Sequence, residues 1–354
     1  MDGVVPGPEA QALTEAARNL LLDCAGLVPG DRAVICVEDA ADRWYDAATP
    51  FAVAEEAARL GIAVTFCAVR PPQEAQAAEV DALLAGPETV IFFARLGDQG
   101  RFAAAEAGRR VMVYARNAAD FASPFGQVPY RVTHAVKQAV DRILLSAGQI
   151  EILCPNGTRL TGRAAGDSPA SPPDVTTLRF PLGVPAPVPA AGFSGEIVLT
   201  DSLTPTGNRA YATPVLLLET PVVAQIENGR IAGFEGAARD VGAIRAHHER
   251  VGELFGIDPY VVHSWHAGLH PGCRFFPPVG RDRDYWSNTV FSSPRLLHFH
   301  TCGTAPPGEI SWNIMDATVR VDGVPLWSAG RLHVAHFPEL AGAAASDARL
   351  AALY

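Results

Sequence analysis

The stretch Val261–Cys273, VVHSWHAGLHPGC, carries His263, His266 and His270, and LLHFHTCG adds His298 and His300; these are five of the ten histidines in the chain. Imidazole titrates near neutrality and binds transition metals through a neutral ring nitrogen. The grouping therefore points to a metal centre, to acid/base chemistry, or to a hydrogen-bonded polar corner of a core. Side chains two residues apart on a strand share a face. By that period His298 and His300 can reach one ion, and His263 lies on the face opposite Ser264 and His266. A mononuclear iron or zinc site takes about three such ligands, often two histidines and a carboxylate; Glu309 and Asp316 follow closely and can supply the carboxylate. His266 stands at a strand end, where AGLHPG stops the strand and leaves room for a ligand. His263 and His298 are the candidates for acid/base work. Glu196, in GFSGE, is a candidate site-lining carboxylate or a strand-start group facing water. His247 and His248 are expected on a helix surface, and His333 and His336 in structural roles. Trp265, Trp286 and Trp312 are candidates for an aromatic wall.

Other chemistries leave no signature. GxSxG is absent, and the GFSGE serine lacks the strand–elbow–helix context of a nucleophile. No GxGxxG or GxxxxGK[ST] follows a strand, so no nucleotide site is indicated. The formal net charge is −10, from 28 basic and 38 acidic residues, with no Lys/Arg run. Nucleic acid and anionic membrane surfaces are accordingly not expected partners. Neither a secretory signal nor an 18-residue apolar run is seen, so the expectation is a cytoplasmic protein. The six cysteines lack CxxC spacing and are expected to be reduced, mostly buried thiols.

These residues need a frame to hold them. Apolar residues make up 48% of 354, enough for a substantial core. Up to residue 147 short apolar runs such as RAVICVED, IAVTFCAV, TVIFFARL and RVMVYAR alternate with helical patterns, including PFAVAEEAARLG, PPQEAQAAEVDALLAG and YRVTHAVKQAVDRILLSAG. That alternation predicts a parallel α/β sheet. Beyond it, QIEILCPNGTRLTG, ENGR and VDGV read as hairpins, ARDVGAIRAHHERVGELFG as one helix, and the Pro/Ser/Gly-rich 167–195 as loop or linker. The fold class expected is α/β: an N-terminal parallel α/β domain (1–147) packed on a β-rich α+β domain (148–354) that carries the site.

The segments GFSGEIVLTDSLTPTGNRAY, QIENGRIAGFEG, HSWHAGLHPGC and ATVRVDGVPLW occur in that order, after an opening LVPGDRAVICVE. The series resembles the superfamily of the thermophilic metallo-aminopeptidases (family M29) and the 2,5-dihydroxypyridine 5,6-dioxygenases, over most of the chain. At the position of His266 the aminopeptidase branch has Glu and the dioxygenase branch an iron-binding His. The resemblance thus implies that His266 is a metal ligand and places the chain on the dioxygenase-like side. The second metal motif of these families, His-x-Asp, falls on Ser311-Trp312-Asn313, and Ser and Asn are poor ligands for iron or zinc. Three outcomes follow: a rearranged metal set, a metal-free pocket run by the same histidines, or a pocket that only binds. The leading expectation is an enzyme acting on a small aromatic or amino-acid-derived molecule, homodimeric as such relatives often are. Fe(II) would be held by His266 and His300 with Glu309 or Asp316, with His263 or His298 as acid/base and Asn313 as ligand or substrate contact. The alternatives are a metal-free cyclase, lyase or hydrolase of specialised metabolism, and a non-catalytic aminopeptidase-like binding protein.

Overall fold

The computed structural model describes residues 7–38, 44–72, 74, 75, 83, 85, 86, 88–98, 108–164, 175–205, 211–276, 282–286, 288–305 and 307–354. The chain divides into two compact units: Met1–His134 with Val175–Leu182 and Asp347–Leu350, and Ala135–Asp174 with Gly183–Ser346 and Ala351–Tyr354.

The first unit is built on a five-stranded parallel sheet. Its order is Ala63–Val69, Arg32–Glu38, Thr89–Phe93, Arg110–Val113, Leu178–Phe180. Buried on both faces, the central strands are continuous apolar runs such as VIFF and VMV. Helices Pro8–Arg18 and Ala48–Arg59 form where the sequence shows helical spacing, as does Tyr130–Leu145. The last strand arises from the stretch read as linker: LRF is three residues long, too short for a periodic signal, and pairs through Val111↔Leu178. The helical pattern in 71–86 and the segment 99–107 fall largely outside the described residues.

The second unit is β-rich. Hairpins turn where ENGR and VDGV predict: Asn228 and Gly229 take φ of 50° and 72°, Asp322 and Gly323 49° and 84°. Two consecutive left-handed residues make a type I′ turn, which Asn-Gly and Asp-Gly tolerate best. Helix Ala238–Phe255 buries Asp240, Ile244, His247, His248 and Val251, spaced by three and four residues along one stripe, and stops at Gly256 (φ 64°). The expected surface placement of His247 and His248 is thereby overturned: they fall on the same face as Ile244 and Val251, and both are buried.

A six-stranded sheet holds the histidine strands, ordered Leu216–Leu217, Ser202–Thr204, Glu309–Met315, Leu296–Cys302, Val262–Ala267, Val188–Pro189. The register pairs Trp265 with Phe299, Phe299 with Trp312, and Trp312 with Leu203. This aromatic row is fully buried, and Trp265 packs edge-on against Phe193 and Trp312 against Phe234 and His248. Burial of such side chains contributes roughly 1.5–3 kcal/mol each. That apolar face offsets the cost of the other one, which is polar.

Candidate metal centre

The polar face is a grid. Cross-strand partners in an antiparallel sheet point to the same side. One row runs His266, His298, Asn313; the next runs Ser264, His300, Ser311, Thr204. Continuing the register, Ser202 falls opposite Asn313, since its neighbour Leu203 pairs with Trp312. All eight side chains are buried. Adjacent rows bring His298 and His300, two apart on one strand, against His266 on the next.

The three rings converge through one atom each. His266 Nε2 lies 2.8 Å from His298 Nε2 and 3.2 Å from His300 Nε2. Among the described residues this is the group of three or more His, Cys, Asp or Glu side chains that could hold a metal. Three nitrogens each about 2.1 Å from one ion, at 90–110° to one another, stand about 3.0–3.4 Å apart. The 3.2 Å separation lies in that range and the 2.8 Å one just short of it, so the three rings are grouped closely enough to share a divalent cation. His266 Nδ1 is 3.0 Å from the Pro185 carbonyl oxygen. A carbonyl can only accept, so Nδ1 carries the proton and donates, which leaves the Nε2 lone pair free for the cluster. His298 stacks on Phe291 with centroids 4.1 Å apart and planes at 17°. Phe291 belongs to an apolar cluster with Val184, Tyr285, Trp286, Val290 and Leu296.

Three further atoms on the grid, Ser202 Oγ, Ser264 Oγ and Asn313 Oδ1, are buried with no hydrogen-bond partner among the described residues. Leaving such an atom unpaired costs about 1–3 kcal/mol. Asn313 Nδ2 donates to Thr204 Oγ1 at 3.1 Å, and the amide oxygen is the end without a partner.

The other candidate residues lie as follows. Glu309 is buried on the strand of Ser311 and accepts the Ser311 hydroxyl at 2.9 Å. Asp316 is not in the histidine cluster: it follows the strand at φ 53° and is held in a two-pronged pair by Arg295, at 2.7 and 2.8 Å. Glu196 sits on strand Ser194–Leu199, which belongs to a further, eight-stranded sheet of the second unit; it is exposed and accepts from Gln225 Nε2. His263 occupies a bulge between Val262 and Ser264, and its Nε2 donates to the Cys302 carbonyl at 2.8 Å. Trp265 and Trp312 line the opposite face of the sheet from the histidines, by strand alternation, so the expected wall reduces to Trp286 and the Phe291 it packs with. His270 is buried, and desolvation pulls its pKa down to about 3. His333 and His336 stack on each other away from these strands, in a short 3₁₀ turn. Sequence reading missed Ser202 and Thr204, and set Ser264 on the face of His266 without giving it a role. The alternation in SLT and HSWH was the available signal, but which strand lies beside which is not written in either segment.

Positions 311 and 313, where the resemblance expects His-x-Asp, lie directly opposite His300 and His298. The His-x-His pair thus occupies the neighbouring strand at the same two levels.

None of the six cysteines is in a disulfide; Cys302 ends strand Leu296–Cys302 of this sheet, and burial lifts its thiol to about 12. No helix among the described residues is long and apolar enough to cross a membrane.

No protein-family model matches the chain, and no curated protein matches it. Solved structures do. AmpT from Thermus thermophilus aligns over 92% of this chain and 99% of its own, at 13% identity and a TM-score of 0.48. A 2,5-dihydroxypyridine dioxygenase from Pseudomonas putida KT2440 aligns over 93% of this chain and 98% of its own, at 15% identity and a TM-score of 0.60. The chain therefore shares, along nearly its whole length, the fold of that dioxygenase.

Proposed function

We propose that the protein is a metal-dependent enzyme acting on a small aromatic or amino-acid-derived molecule, with Fe(II) held by His266, His298 and His300. The convergence of three buried Nε2 atoms at 2.8 and 3.2 Å carries this reading. The shared fold with a dioxygenase supports it as analogy. An iron ion in this set would supply positions for dioxygen and a substrate oxygen together, as in a ring-cleaving dioxygenase. The chain's own residues do the rest. The Pro185 carbonyl holds the His266 ring and its tautomer, and Phe291 holds the plane of His298. Asn313 Oδ1 accepts a hydrogen bond from a substrate hydroxyl or N–H, and Ser264 Oγ gives or takes one. The apolar side chains around Phe291 keep water from that edge of the site.

A second reading rests on the same donor set. Three imidazoles with no carboxylate are also the set of a zinc centre that activates water, which would make a hydrolase. Metal analysis of protein purified without oxygen and then exposed to Fe(II) or Zn(II) separates the two. We expect about one ion per chain, lost in His266→Ala, and iron-dependent oxygen uptake with dihydroxylated aromatic acids. Retention of zinc alone favours the hydrolase. No metal in either protein refutes a metal centre and leaves a metal-free cyclase or lyase using the same histidines.

A further inference from the structure

The first unit has a cavity of its own, lined by its own residues. It holds about 570 Å³ and is lined by Val37, Glu38, Tyr45, Asp46, Pro50, Phe51, Phe66, Ala68, Arg70 and Phe93, among others. That volume lies inside the roughly 300–1,000 Å³ of small-molecule sites.

Its position is not arbitrary. Strand Arg32–Glu38 is followed by Ala63–Val69 on one side, and the chain then crosses to place Thr89–Phe93 on the other. The strand order reverses there, and such reversals open a crevice at the carboxyl ends of parallel strands. Glu38, Val69 and Phe93, which end these strands, all line the cavity.

The lining states what would fit. Its walls are aromatic: Phe51 and Phe66 lie 5.1 Å apart, and Tyr45 meets Phe93 edge-on. Phe51 is 58% exposed and Phe66 39%, so two rings are left open to solvent at the cavity. The acceptors are already used. Both Glu38 oxygens take hydrogen bonds from Arg95, and both Asp46 oxygens take them from Thr49 and the Ala118 N–H. The Tyr45 hydroxyl donates to the Val113 carbonyl. Arg70, an exposed residue of the lining, makes no hydrogen bond or ion pair among the described residues. The cavity therefore offers aromatic surface and, in Arg70, a cation whose donors are not committed to a described residue.

We propose that this cavity binds a planar aromatic acid, its ring against Phe51 and Phe66 and its carboxylate on the Arg70 guanidinium. The site is built from residues of the first unit and does not depend on a metal at the three histidines.

Isothermal titration of the full chain with 2-naphthoate, and with neutral 2-naphthylmethanol, tests this. The acid should bind about tenfold or more tighter than the alcohol. Arg70→Gln should abolish that preference, and Phe51→Ser should weaken both ligands. Both side chains are exposed, so neither change threatens folding. His266→Ala should leave the affinities unchanged. Absence of binding at millimolar concentration, equal affinity for acid and alcohol, or loss of binding in His266→Ala would each overturn the proposal. So would a Phe51→Ser variant that alters only the sedimentation mass, which would assign the aromatic pair to a second copy of the chain.

Discussion

His248→Gln should flatten the acid limb of the stability profile by one proton. His248 is fully buried; its Nδ1 donates to the Pro259 carbonyl at 2.7 Å, and its Nε2 accepts the Trp312 indole N–H at 3.0 Å. Both nitrogens are committed in the neutral ring, and protonation would place a second hydrogen against the indole. Burial is the main cause that takes its pKa from 6.5 to about 4. Between those values the unfolded chain binds a proton that the native chain refuses. Stability therefore rises with pH through this window and is level above it. One proton is about 1.4 kcal/mol per pH unit, so the full window is worth about 3 kcal/mol. His247, also near 4, and His270, near 3, steepen the same limb for the same reason. Glutamine keeps a donor and an acceptor and does not titrate. Urea unfolding followed by tryptophan fluorescence, at intervals from pH 4.5 to 7.5, gives the slope for each protein. The variant should lose about 1.4 kcal/mol per pH unit of that slope. Identical slopes would refute the reasoning, because His248 would then be charging inside the native fold.

Arg95→Met should destabilise the first unit by about 3–5 kcal/mol, because it strands the buried Glu38 carboxylate that Arg95 holds through both Nε and Nη2; chemical denaturation reads it, and Arg95→Met with Glu38→Leu should recover most of the loss. Asn313→Asp should set a carboxylate beside His298, lowering the melting temperature of the metal-free protein and tightening metal retention by about tenfold or more; unchanged retention in competition with a chelator would show that position 313 does not face the ion.

Much of the frame was legible because it rests on local rules. Alternating apolar runs and helical stripes announced the parallel sheet, and Asn-Gly and Asp-Gly marked two hairpins down to their backbone angles. The period of two correctly set His298 and His300 on one face. What sequence could not supply was the register between strands far apart in the chain. Thirty-two residues separate His266 from His298, and only the pairing shows that they meet. Long-range pairing likewise hid Ser202 and Thr204. Trp265 and Trp312 passed as site residues although local alternation turns them to the core. His247 and His248 were misplaced for another reason: their polarity outweighed the stripe of Ile244 and Val251 that contains them. The buried Glu38–Arg95 pair was missed because neither residue stands out alone, although a carboxylate closing an apolar strand was a clue.

The bulge at His263 has a consequence for how such a face can evolve. Val262 pairs with Thr301 while Ser264 pairs with His300, so one residue is absorbed without passing its offset along the strand. Unabsorbed, the same residue would set His266 opposite Leu297, among the tryptophans. The strand thus carries a phase buffer just upstream of its chemistry. A change of chain length in the preceding helix and turn can be taken up there, leaving the alignment of the three imidazoles unchanged.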